Sequence, residues 1–118
     1  MQDAQRADAV RGRTIRFTWL DGPTKGKTYE HVFHDDGTVE WRDADRSEKS
    51  GAENRPAQTE RPPYAAMKAA DEIYAVSYLA SSGYTLTVVL NFQDQSIVGF
   101  ASGAKEWYPL RGRFEVVG

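Results

Sequence analysis

The sequence predicts an all-β fold, a single small antiparallel up-and-down barrel of about eight strands, and three observations carry that expectation. Apolar and aromatic residues alternate with polar ones along successive short runs, turn residues rich in Gly, Asp and Ser separate the runs, and the spacing leaves no room for intervening helices. Closing such a meander into a barrel removes the edge strands that an open sheet would expose.

The elements follow in order. Met1 to Gly12 shows no buried period and is expected to be a flexible segment, so the domain is placed at residues 13–118. Arg13 to Leu20 alternates, with Ile15, Phe17 and Trp19 on one face and Thr14, Arg16 and Thr18 on the other. Asp21-Gly22-Pro23 and Lys25-Gly26 supply a turn. Lys27 to His34 places Tyr29, His31 and Phe33 on one face, and Asp35-Asp36-Gly37 closes a hairpin onto Thr38 to Asp43, where Val39 and Trp41 alternate with Glu40 and Arg42. Ala44 to Pro63 is polar, nearly charge-neutral and free of aromatics, and reads as a mobile loop because it has too little to bury. Tyr64 to Lys68 has the composition of a strand or a helical turn, and the strand is preferred because extended Ile73 to Leu79 follows a short turn. Tyr84 to Phe92 is the strongest strand, with Tyr84, Leu86, Val88, Leu90 and Phe92 on one face. Ser96 to Ala101 and one or two strands in Glu106 to Val117, broken at Pro109, complete the set.

Composition excludes several functions. The chain has 118 residues, 15 Lys plus Arg against 17 Asp plus Glu, and no cysteine. The absence of cysteine removes disulfide scaffolds, thiol nucleophiles, iron–sulfur clusters and thiolate zinc sites. A net charge of -2 argues against nucleic acid, whose phosphates are bound by excess Lys and Arg. No apolar run approaches a membrane span and Met1 to Gly12 is too polar for a signal peptide, so a cytoplasmic location is expected.

The five Phe, six Tyr and three Trp all lie between Phe17 and Phe114. An eight-stranded barrel is either filled by its side chains or admits one small ligand. With the large face of each strand inward, Phe17, Trp19, Tyr29, His31, Phe33 and Trp41 form either a packed aromatic core or a pocket lining with a few polar handles. His31 interrupts an apolar series and is the best candidate for acid/base work or ligand binding, with a satisfied core histidine as the alternative. His31 and His34 fall on opposite faces of a strand, so no metal site is expected, and no cofactor. The serines lack nucleophile-elbow glycines, and Gly99 to Gly103 lacks the lysine and helix of a phosphate loop. Arg42, Arg111 and Arg113 would receive a carboxylate if they lay at the barrel mouth.

The run Ile15-Arg16-Phe17-Thr18-Trp19-Leu20-Asp21-Gly22, with Tyr29-Glu30-His31-Val32-Phe33, Asp36-Gly37-Thr38-Val39-Glu40-Trp41-Arg42 and Ile73-Tyr74-Ala75-Val76-Ser77-Tyr78, resembles the MoaF-type, lipocalin-like domains named after molybdenum cofactor biosynthesis protein F. The same landmarks distantly resemble phenolic acid decarboxylases of the calycin fold. Both resemblances imply a small barrel with an internal pocket, often dimeric. The MoaF name implies no defined reaction. The decarboxylase pattern implies two phenol-holding tyrosines where Phe17 and Trp19 stand, a catalytic acid where Ala80 stands and an arginine that falls in the polar loop, where there is no clear equivalent. Its general acid/base route is therefore not retained.

The expected function is binding of a small hydrophobic or aromatic molecule, with or without a carboxylate, at Phe17, Trp19, Tyr29, His31, Trp41, Tyr78 and Arg42. The alternatives are a lyase or isomerase using His31 with Glu30 or Tyr78, and a non-catalytic module forming a homodimer through an outer patch of Val32, Tyr74, Tyr78 and Val89.

Overall fold

The computed structural model describes residues 9–22, 24–43, 61–80 and 83–118. Within them lie β1 (Thr14–Trp19), β2 (Thr28–Phe33), β3 (Val39–Asp43), β4 (Tyr64–Ala70), β5 (Ile73–Leu79), β6 (Thr85–Asn91), β7 (Ser96–Ser102) and β8 (Trp107–Val116). The strands form one antiparallel sheet in the order β3-β2-β1-β8-β7-β6-β5-β4. The chain thus meanders except at β1, which pairs with both β2 and β8. The sheet curls until its outer strands meet at a Thr38–Pro63 bridge, flanked by Val39 N–H donating to Pro62 O and Tyr64 N–H donating to Gly37 O. This is the all-β, up-and-down barrel that the alternation predicts.

Pleating decides which side chains go inside. Ile15, Phe17 and Trp19 are buried while Arg16 is exposed, and Val88 and Leu90 are buried on β6 beside exposed Thr87. On β5 the near-continuous apolar run gives no alternation to read, but Ser77 bonds the Thr87 hydroxyl at 2.9 Å on the outer side. That register sends Val76 and Tyr78 into the interior, both buried, and sets Tyr74 edge-on against Phe92. The expected outer patch of Val32, Tyr74, Tyr78 and Val89 is therefore incorrect for both tyrosines. The large apolar side chains that are exposed on β7 and β8 are instead Val98, Phe100 and Trp107.

Two glycines permit the curl. Gly99 on β7 and Gly112 on β8 face inward, and a Cβ on either would lie 2.1 Å from Thr87 O or 2.2 Å from Thr18 O, respectively. Neighbouring backbones thus occupy the space a side chain would need, as at the bends of a small barrel.

Other differences concern the termini and β8. Residues 1–8 of the expected flexible segment lie outside the described residues, but Val10 is fully buried in the core, and Gly12 N–H donates to Phe33 O at 2.7 Å. The N-terminal chain therefore seals the barrel end opposite the β1–β2, β5–β6 and β7–β8 turns. A lone apolar residue in a polar stretch shows no period, which is why sequence reading passes over it. Val10→Ala is expected to lower the unfolding free energy by about 2 kcal/mol in denaturant titration. The polar loop falls outside the described residues over 44–60, whereas 61–63 are held against β3, with Arg61 3.3 Å from Asp36. Finally, β8 runs unbroken through Pro109. At that point it is paired to β7 alone, the β1 register starting only at Gly112, so the missing N–H has an unpartnered edge to face.

Candidate functional site

The barrel holds a cavity of about 260 Å³ that opens to solvent and whose walls are overwhelmingly apolar. It lies toward the end formed by the β1–β2, β5–β6 and β7–β8 turns, with Trp19, Tyr29, His31 and Trp41 from β1–β3 facing Tyr78 and Leu86 from β5 and β6. Pairing explains the grouping: His31 lies opposite Trp41 across β2–β3, and Tyr78 opposite Leu86 across β5–β6. Tyr29 and Trp41 meet edge to face with ring centroids 5.6 Å apart, an arrangement favoured by the ring quadrupoles.

His31 is the buried polar centre, 3% exposed. Its ring stacks on Phe17 at 4.0 Å between centroids, and its Nε2 is hydrogen-bonded to the Tyr78 hydroxyl at 3.1 Å. Burial pushes its pKa down to about 3, against a smaller opposing influence of the Tyr29 backbone. That backbone makes no bond of acceptable geometry to Nδ1, which has no hydrogen-bond partner in the described structure. The imidazole is accordingly neutral near pH 7.

At the rim, Tyr84 belongs to the lining and donates its hydroxyl to Glu106, whose other oxygen accepts the Tyr108 hydroxyl at 3.1 Å. The bond to Glu106 is the main reason the Tyr84 pKa is pushed up to about 12.

Of the residues the sequence singles out, Trp19, Tyr29, His31, Trp41 and Tyr78 share the cavity wall. Phe17 is buried outside that wall, supporting His31. Arg42 points the other way: its guanidinium joins that of Arg16 on the Glu30 carboxylate, with Nε–O distances of 2.9 Å in both pairs. The Arg16 bond leads in holding the Glu30 carboxyl below its usual pKa, aided by Arg42. Glu30 is thus an outer-face residue and not a partner of His31. Arg111 pairs with Asp21 at 3.2 Å. His34 bonds Glu40 at 3.0 Å, apart from His31. Among the described residues no three His, Asp or Glu side chains converge as metal ligands, and no helix is long and apolar enough to cross a membrane. Sequence reading did not assign Thr24, Tyr84, Leu86 or Leu110 to the lining. The inward face of β6 was legible for Tyr84 and Leu86, but only the curl of the sheet brings it across from Trp41.

Fold and site together define a small antiparallel β-barrel with an internal, aromatic-walled cavity. The chain belongs to the MoaF N-terminal domain family, whose model matches residues 3–106. No protein of curated function matches it. Among solved structures it resembles a Burkholderia vietnamiensis protein provisionally described as a beta-lactamase, with a TM-score of 0.69 and 16% identity over 92% of this chain and 96% of that one. At that identity the likeness concerns the fold alone.

Proposed function

We propose that this barrel binds a small apolar or aromatic molecule in its internal cavity. The observation that carries the reading is the roughly 260 Å³ space walled by Trp19, Tyr29, Trp41 and Tyr78 around a buried histidine. Ligand pockets have this make-up, mostly hydrophobic walls with a few placed polar groups, and this one sits just below their usual size range. Two tryptophans in the wall give a direct readout. One- and two-ring aromatic compounds are expected to quench or shift tryptophan emission saturably, and Ala101→Trp, which fills the cavity from β7, is expected to remove the response. A flat response across such a panel would count against binding.

The His31–Tyr78 hydrogen bond supports a second reading, a lyase- or isomerase-type reaction. In it the Tyr78 hydroxyl, oriented by neutral His31, would donate a hydrogen bond to the reacting oxygen of the substrate as charge develops there. Glu30 has no part in it. Tyr78→Phe with undiminished turnover of a substrate identified by the panel would refute it.

A further inference from the structure

We infer that the ligand of this cavity is an uncharged aromatic molecule of one ring with a short polar substituent, or of two fused rings, and that its carboxylate and ammonium analogues are rejected. The inference rests on the binding reading above and narrows it from the size and lining of the space. An apolar cavity of about 150 Å³ in a protein core holds benzene. The roughly 260 Å³ here therefore leaves space for one ring and a few further atoms.

Among the described residues the lining has no charged side chain. It consists of aromatic, aliphatic, threonine and histidine side chains, so no Lys, Arg, Asp or Glu is among the described residues that form it. Among the described residues, Arg16 and Arg42 pair with Glu30 and Arg111 pairs with Asp21, while Arg113 is exposed, and none of the four lines the cavity. Glu106, which accepts the hydroxyl of the lining residue Tyr84, places a negative charge beside the wall that would repel an arriving anion. An aromatic wall can by itself attract a cation through the ring faces, but His31 shows what the site does to positive charge. Its ring is buried against Phe17 at 4.0 Å, and burial holds it uncharged. A cation in this space would likewise lose its water with no carboxylate among the described lining residues to replace it. Polar recognition is left to a neutral group, the Tyr78 hydroxyl held by His31.

The test uses p-nitrophenol, which ionises near neutral pH and whose phenolate alone is strongly coloured. At a pH where both forms are present, adding an excess of the native protein is expected to bleach the phenolate colour, with the neutral form bound about 100-fold or more tightly. Uncoloured p-cresol is expected to restore the colour by competition, whereas 4-methylbenzoate and 4-methylbenzylammonium are not. Deepening of the phenolate colour, or competition by either ion, would overturn the charge selection while leaving small-molecule binding intact. No change in either absorbance or tryptophan emission with p-nitrophenol and p-cresol would overturn the binding reading itself.

Discussion

Gly112→Ala is expected to lower the unfolding free energy by about 3 kcal/mol or more, and the melting temperature by more than ~10 °C. The added Cβ would stand 2.2 Å from Thr18 O and 3.1 Å from Trp19 Cα, separations that only movement of β1 away from β8 can relieve. Those two strands are the junction on which the meander closes, since β1 pairs with β8 from Ile15–Val116 to Trp19–Gly112. Trp19 also forms part of the cavity wall, so the substitution should disturb tryptophan emission even where the chain still folds. Gly99→Ala is expected to act alike, because its Cβ would meet Thr87 O at 2.1 Å. Val98→Ala, next along β7 but half-exposed and facing outward, provides the contrast and should change stability by less than about 1 kcal/mol. Thermal melts of the three variants check this, and an unchanged melting temperature for Gly112→Ala would refute the bent-sheet account.

The second large effect is acid destabilisation governed by His31. Its folded pKa of about 3 lies below the ordinary value of 6.5, so between those values the unfolded chain binds a proton that the folded protein refuses. Stability must therefore rise with pH across that window. The contribution is fully present above about pH 6.5, falls by about 1 kcal/mol per pH unit as pH drops, and is exhausted near pH 3. Carboxylates act in the same direction at lower pH. Glu30 is held low mainly by its hydrogen bond to Arg16, and Asp36 and Asp94 by hydroxyl and backbone bonds from Thr38 and Ser96. A variant isolates the histidine. His31→Phe keeps an aromatic ring against Phe17 but cannot protonate, and the chain's one other histidine, His34, is unchanged. Urea titrations from pH 7 to 4 should show the slope reduced by about 1 kcal/mol per pH unit in the variant. Equal slopes in the two proteins would mean that His31 is not buried in its neutral form.

The candidate site was legible residue by residue rather than as a site. Alternation on β1 to β3 is strict enough that Phe17, Trp19, Tyr29, His31 and Trp41 could be assigned one inward face, and the same alternation puts Arg42 opposite Trp41. Assigning Arg42 to the ligand required a side chain at the barrel mouth, and pairing with Glu30 holds it elsewhere. Tyr78 had two incompatible readings because Ile73 to Leu79 is apolar almost throughout; the hydroxyl pair Ser77–Thr87 and the Tyr78–His31 bond decide its direction. Val10 carried no local signal at all, since its burial depends on the far end of β2 lying above it.

By itself the sequence determined the strand class, the turns and the inward faces, because side-chain direction along a strand is a local consequence of the pleat. It also excluded thiol chemistry and gave no basic excess for nucleic acid. Only the tertiary structure decided which inward residues meet: that Phe17 supports His31 from outside the cavity wall, that Tyr78 and Leu86 face Trp41 across the cavity, and that Arg42 lies outside it. Those relations depend on register between strands far apart in sequence and on bends at Gly99 and Gly112, where the close approach of another backbone sets the geometry.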